Sequence, residues 1–371
     1  MMGKPVRNAN IELARILAMM MIVSIHYWVF AFPVEKHVQF SIPFVLGITV
    51  KSVSSVSVNV YVLISAFFLS SSKFKIGRIT SVWSQVWFYS VVLFLLVVVF
   101  DHSQLTLLKL FSNLTPVLSR QYWFATVFIA LLLVAPFINK LLDAITKSQL
   151  VYLIAALCAI TVVLPTLMVF SSGAYYGHGT DITWFVVLYL IGAYIRRYCD
   201  FNRIMEHKQC VNYTTLALCL LPAVVTLAVV LLRYRLTGNA ECPSSLLNYN
   251  SLFILPGSVA MFIFFATRKP LSDKITKVIN KLAVGSFAVY LISDHRELRN
   301  YMWSFVVSHT HTASWIMAAE YVVTIVCIYI ICFFLDLLYQ NFFKKDYFLF
   351  LLKKVFGNKI EKLENRINND E

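Results

Sequence analysis

Long apolar runs, separated by short polar segments that carry most of the lysines and arginines, fill the chain from one end to the other. A membrane-crossing helix needs about 20 mostly apolar residues. Ten runs reach or approach that length: 10–32, 42–70, 79–100, 122–140, 150–170, 182–198, 213–232, 248–267, 280–296 and 314–341. The second and tenth are long enough to tilt or overhang, whereas the sixth and ninth have short apolar cores. No repeat, low-complexity tract or flexible linker interrupts the series. The pattern predicts an all-α, polytopic membrane protein with about ten transmembrane helices over residues 1–343. Over 344–371 it predicts a tail in which Phe348, Leu349, Leu351, Leu352, Val355 and Phe356 are mixed with paired lysines. Such a tail is expected to form a basic amphipathic helix on the inner membrane surface.

Composition supports the same class. Of 371 residues, 59% are hydrophobic and 13% charged, against about 45–50% and 25% in soluble domains. The mean hydropathy is +0.74. These values exclude a water-soluble globular enzyme, a disordered chain and a disulfide-rich secreted module. The net charge of +14 would suggest nucleic acid for a soluble chain. Here the cations cluster between spans, as loops facing anionic lipid do, and no nucleic-acid partner is expected. With ten helices and an inner N-terminus, 23 of the 32 Lys and Arg fall on inner segments, Arg15 lies in the first span, and eight fall outside or at outer helix ends. Both termini are therefore predicted to be cytoplasmic. The seven Cys are odd in number and form no CxxC, so neither a disulfide framework nor a zinc site is expected. The first run is long and carries Glu12 and Arg15, unlike a cleavable signal peptide.

Ionisable residues inside a span are costly and mark functional sites. The first run holds Arg15 and His26, eleven positions apart. At 3.6 residues per turn that is nearly three whole turns, so both share one helix face, roughly 16 Å apart along the axis. The face presents a fixed guanidinium near the cytoplasm and a titratable imidazole deeper in. The pair suits a long, phosphate-rich donor: guanidinium binds phosphate, and neutral imidazole is a general base near neutral pH. Glu12, three residues before Arg15, is placed to orient it. The same spacing also fits a boundary anchor at Arg15 and a packed polar group at His26.

The opening segment resembles that of acyltransferase family 3, the integral membrane O-acyltransferases. Ile11-Glu12-Leu13-Ala14-Arg15, ten residues and then His26 is similar to the family's I-D/E-x-L/A-R…His helix. Further similarities follow in order. Val58-Asn59-Val60-Tyr61 through Ser65-Ala66-Phe67 is similar to V-N-L-F-F-x-x-S-G-F/Y, with Ala66 for Gly. Lys75-Ile-Gly-Arg78 sits where two basic residues are usual, with Lys for the first Arg. Tyr122-Trp123-Phe124 with Pro136-Phe137-Ile138-Asn139, and Trp184-Phe185 with Leu190-Ile191-Gly192, resemble two later family helices. Ser286 through His295 resembles S-F-G-x-Y-L-I-H-D, with Ser293 in place of His and Asp294 retained.

The resemblance implies transfer of an acyl group, usually acetyl, from acyl-coenzyme A to a sugar hydroxyl of a surface polysaccharide or its lipid-linked precursor. It implies a multi-pass protein of a bacterial cell membrane, with acetyl-CoA as a donor substrate and no bound cofactor or metal. His26 is the expected catalytic base or acyl carrier. Arg15, Lys73, Lys75 and Arg78 are expected on the acyl-CoA phosphates. Glu12, Asn59 and Ser65 are expected to orient groups or to hydrogen-bond the oxyanion, although Asn and Ser also glue membrane helices together. For the acceptor, aromatic faces with polar rims point to Tyr122, Trp123, Trp184, Asp294, His295 and Arg296, with Tyr175, Tyr176, His309 and His311 on the same outer segments. An interfacial aromatic belt fits those segments equally. A transporter or flippase of lipid-linked sugars is the main rival, although such proteins usually show internal repeats and helices broken by Gly or Pro.

Overall fold

The computed structural model describes residues 8–34, 37–167, 177–308, 314–342 and 347–368. Tyr175, Tyr176, His309 and His311 lie outside the described residues. Among the described residues the regular elements are all helical. In chain order they are α1 (Ala9–His26), continued by a π-helical turn over Tyr27–Ala31, then α2 (Ile42–Ser54), α3 (Val56–Leu69), α4 (Ile76–Phe100), α5 (Leu107–Leu114), α6 (Trp123–Ala144), α7 (Lys147–Cys158), α8 (Leu164–Leu167) and α9 (Ile182–Tyr198). There follow α10 (Phe201–Glu206), α11 (Lys208–Thr237), α12 (Ser244–Leu247), α13 (Ile254–Ala266), α14 (Asp273–Val284), α15 (Ser286–Ser293), α16 (Leu298–Ser308), α17 (Ser314–Phe342), α18 (Tyr347–Phe356) and α19 (Asn358–Asn368).

Each of the ten expected spans contains a helix, and eight stretches among the described residues are long and apolar enough to cross a membrane. The two that fall short are α9, with 17 residues, and α13, with 13. The run expected over 248–267 is shortened because its first residues form turns instead of helix. Asn250 Nδ2 donates to the carbonyls of Thr161 (2.8 Å) and Gly177 (3.0 Å), and the Leu252 amide donates to Thr166 Oγ1 (2.9 Å). The last bond satisfies an amide that a helix would otherwise have claimed, and the first two pin the turn to neighbouring segments.

Burial separates a centre from a periphery. In the stretch formed by α2 and α3, 78% of the most apolar window is buried, against 22% for α11 and 28% for α17. Around α3 pack α1, α9 and α13. The contact with α9 is backbone-close: a Cβ on Gly192 would sit 2.7 Å from Ala66 Cβ. Small residues on both helices allow that approach, as at membrane helix interfaces generally. Outward, α4, α11 and α17 present Val99, Phe100, Val224, Leu232, Val323 and Phe334, which suits contact with lipid tails.

One end of the bundle gathers the basic loops. Asn10, at the start of α1, donates through Nδ2 to the carbonyls of Arg268 (3.2 Å) and Lys269 (3.0 Å). The Arg268 guanidinium in turn donates to Asn212 Oδ1 near the start of α11 (2.7 Å). The tail forms two helices rather than one, broken at Gly357, whose φ of +46° lies in the left-handed region. On α18, Phe348 stacks on Trp83 of α4 at 4.3 Å. From α19, Glu364 accepts from the Ile76 amide (2.7 Å), while Asn368 accepts from the Phe74 amide (2.7 Å) and donates to the Phe74 carbonyl (3.0 Å). The tail therefore closes over the loop that precedes α4.

Candidate active site

Positions 15, 19, 22 and 26 follow the helical i, i+4, i+7, i+11 rule and form one stripe on α1. That stripe faces protein. Met19, Ile22 and His26 line a small cavity, completed by Val58 and Tyr61 of α3, Trp123 and Phe124 of α6, Tyr249 from the turn before α13, and Tyr290 of α15. Arg15 sits one step beyond the lining, its guanidinium 5.8 Å from the centre of the Tyr61 ring. Arg15 Nη1 donates to Glu12 Oε2 at 3.0 Å, and Glu12 is buried. Glu12 thus fixes the guanidinium at the mouth of the stripe while Tyr61 carries the wall from Arg15 into the cavity.

Immediately after His26 the backbone widens into the π-helical turn, a feature that often accompanies functional positions. Phe30 in this turn lies 5.6 Å from the imidazole, ring centre to ring centre. On the other side stands Asp294, its Oδ1 4.0 Å from His26 Nε2. The same carboxylate oxygen accepts from Arg299 Nη1 at 3.2 Å, and the Arg299 guanidinium lies 4.5 Å over the Phe30 ring. His26 Nδ1 is buried with no hydrogen-bond partner. The imidazole is therefore framed by a carboxylate anchored by arginine and opens on a cavity otherwise walled by apolar and aromatic groups. A proton taken up by this ring would have a counter-charge at hand.

The other expected residues divide sharply. Trp123 lines the cavity and stacks on Tyr249 at 5.8 Å, whereas Tyr122 is fully buried at the start of α6, its hydroxyl without a hydrogen-bond partner. Asp294 joins His26. Its neighbour His295 is turned the other way, with Nε2 3.1 Å from the Ser90 carbonyl and Nδ1 accepting from the Leu298 amide (3.3 Å) and lying 3.6 Å from Glu297. Both of its ring nitrogens are occupied in a buried network that Gln121 extends from Glu297 to Asn113. Arg296 is exposed and does not line the cavity. Trp184 is buried, and its Nε1 donates to Asn59 Oδ1 (3.0 Å). Asn59 also donates to the Tyr249 carbonyl (2.7 Å) and Ser258 Oγ (3.2 Å). Ser65 donates back to the Tyr61 carbonyl one turn earlier (3.0 Å). Asn59 and Trp184 thus spend their polar atoms on holding helices and the Tyr249 turn together, and Ser65 spends its hydroxyl within α3, with none directed at the imidazole.

At the end where Arg15 lies, Lys75 and Arg78 line a second small cavity beside Ser72, Pro136 and Asn139. Arg78 Nη1 donates to Ser72 Oγ and to the Lys73 carbonyl, both at 2.9 Å, which ties the three basic positions into one loop. Because α1 and α3 run antiparallel, this loop after α3 is on the same side of the bundle as Arg15.

A family model described as an acyltransferase domain matches residues 8–352. The chain belongs to acyltransferase family 3. As a family member it is a membrane acyltransferase, and the match takes in both cavities and every site residue discussed above. No curated protein and no solved structure matches the chain. Three residues facing His26 were not singled out beforehand for that role: Asp294, assigned to the acceptor; Arg299; and Tyr290. Their spacing carried a signal, since 290 and 294 are one helical turn apart and the Asp294 amide bonds the Tyr290 carbonyl at 3.0 Å.

Proposed function

We propose that this acyltransferase moves an acetyl group from acetyl-CoA to a sugar hydroxyl of a surface polysaccharide or its lipid-linked precursor, in a bacterial cell membrane with the basic loops cytoplasmic. The observation that supports it best is the stripe on α1, with Arg15 at one end and His26 on the wall of an aromatic cavity. The donor enters from the basic end, its phosphates on Lys73, Lys75 and Arg78 and then Arg15, and its thioester reaches the cavity beside His26. The acceptor hydroxyl, packed on Trp123 and Tyr249, gives its proton to His26 as its oxygen attacks the thioester carbon. The new C–O bond forms, the tetrahedral intermediate collapses, the C–S bond breaks, and the proton passes from the imidazolium to the departing thiolate. Asp294 stabilises the imidazolium between those two transfers, and Arg299 holds Asp294 in place.

The test is transfer of labelled acetyl from acetyl-CoA to glycan in membrane vesicles from expressing cells. His26→Ala is expected to abolish incorporation while the protein still inserts. Wild-type incorporation by that variant would refute the proposal, as would movement of glycan across the vesicle without any ester formed.

A further inference from the structure

Acyl transfer places negative charge on the former carbonyl oxygen, and catalysis depends on donors already aimed at it. We infer that the Tyr290 hydroxyl, backed by the start of α6, is such a donor, which makes Tyr290 a catalytic residue; the inference rests on the transfer reaction proposed above.

Tyr290 is buried and lines the same cavity as His26, yet its hydroxyl has no hydrogen-bond acceptor. Buried hydroxyls are nearly always bonded, so an unspent O–H on a cavity wall points to a ligand atom that completes it. The start of α6 reaches the same wall through Trp123 and Phe124. This helix has no side-chain cap: Tyr122 occupies the N-cap position and offers none. No cap claims its first amides, and the Phe124 amide is directed at the Tyr290 oxygen, which orients the phenol and leaves its O–H free to donate. The positive end of a 22-residue helix and a free phenolic donor thus converge on one spot, an arrangement that favours an anion.

The placement of the base fits. Tyr290 lies on α15 and Asp294 caps its C-terminus one turn later, the Asp294 amide donating to the Tyr290 carbonyl at 3.0 Å. The helix α15 and its C-terminal cap therefore set the oxyanion donor and the partner of the base close together, against α1. Asp294 would repel a nearby oxyanion if its charge were free, but Arg299 pairs with it at 3.2 Å. Asn59 and Ser65, whose polar atoms are committed elsewhere, leave this role open.

Tyr290→Phe keeps the ring and removes only the donor. In vesicles supplied with radiolabelled acetyl-CoA, it is expected to lower kcat on the order of 10²–10³-fold with KM for acetyl-CoA unchanged, the signature of a lost oxyanion donor. Gel filtration of the detergent-extracted variant verifies folding. A ring-fluorinated tyrosine introduced at position 290, a stronger donor of the same shape, is expected to restore kcat. Full activity of the Phe variant, or a raised KM at unchanged kcat, would overturn the inference. His26→Ala in the same vesicles separates the two levels: a dead His26 variant beside an active Tyr290 variant refutes only the donor assignment, whereas an active His26 variant refutes the reaction itself.

Discussion

Asp294→Asn removes the charge beside His26 and leaves the side-chain shape intact. At 4.0 Å, a full carboxylate–imidazolium pair is worth about 4 kcal/mol at an effective dielectric near 20. Arg299, bonded to the same oxygen at 3.2 Å, offsets part of that attraction, and about half is a reasonable share to remain. Replacement by Asn leaves the arginine uncompensated and restores the lost half as repulsion. The expected penalty on the step that forms the imidazolium is therefore about 2–4 kcal/mol, or ~30- to 10³-fold in kcat. The assay is the initial rate of acetyl transfer at saturating acetyl-CoA, corrected for the amount of inserted protein. KM for the donor should not move, because Asp294 lies at the opposite end of the stripe from Arg15. A variant with wild-type kcat would show that the imidazole needs no counter-charge, and a change confined to KM would place Asp294 on a substrate instead of on the base.

Two further substitutions probe other parts of the site. Arg15→Gln is expected to raise KM for acetyl-CoA about 10- to 100-fold, the value of a charge-assisted hydrogen bond of about 1.5–3 kcal/mol, with kcat little changed; equal KM values would remove Arg15 from donor binding. Asn59→Leu strands the indole N–H of Trp184 and frees the Tyr249 carbonyl, so the detergent-solubilised variant should lose about 1–3 kcal/mol per stranded group, read as a lower midpoint of thermal unfolding. An Asn59 variant of unchanged stability but much reduced kcat would restore the oxyanion role to that amide.

Sequence made the bundle and the stripe legible because both follow from local periodicity. Hydropathy marks each span, and the 3.6-residue repeat puts Arg15 and His26 on one face without knowledge of any neighbour. Where polar side chains compete for the backbone, the reading fails at the boundaries: Asn250 and Thr166 turn 248–253 out of a helix that hydropathy alone would continue. The partners of His26 were harder. Asp294 is 268 positions away in the chain, and only packing of α15 against α1 brings it within reach. An Asp-His-Arg-Glu run looks like a single polar rim, yet Asp294 turns to the cavity, His295 into a buried network, and Arg296 outward. The run is the turn between α15 and α16, so it served three environments. Asn59 illustrates the converse: its residue type fits catalysis and packing equally, and only its three bonds to Trp184, Tyr249 and Ser258 decide between them.

The latch made by α19 has a consequence for biogenesis. Backbone groups of Phe74 and Ile76 find their partners 294 and 288 positions later. While the polypeptide is still emerging from the ribosome, those groups remain hydrated and the segment bearing Lys73, Lys75 and Arg78 stays slack. An aborted translation product could assemble the imidazole chamber and still leave the loop of three cations unfastened.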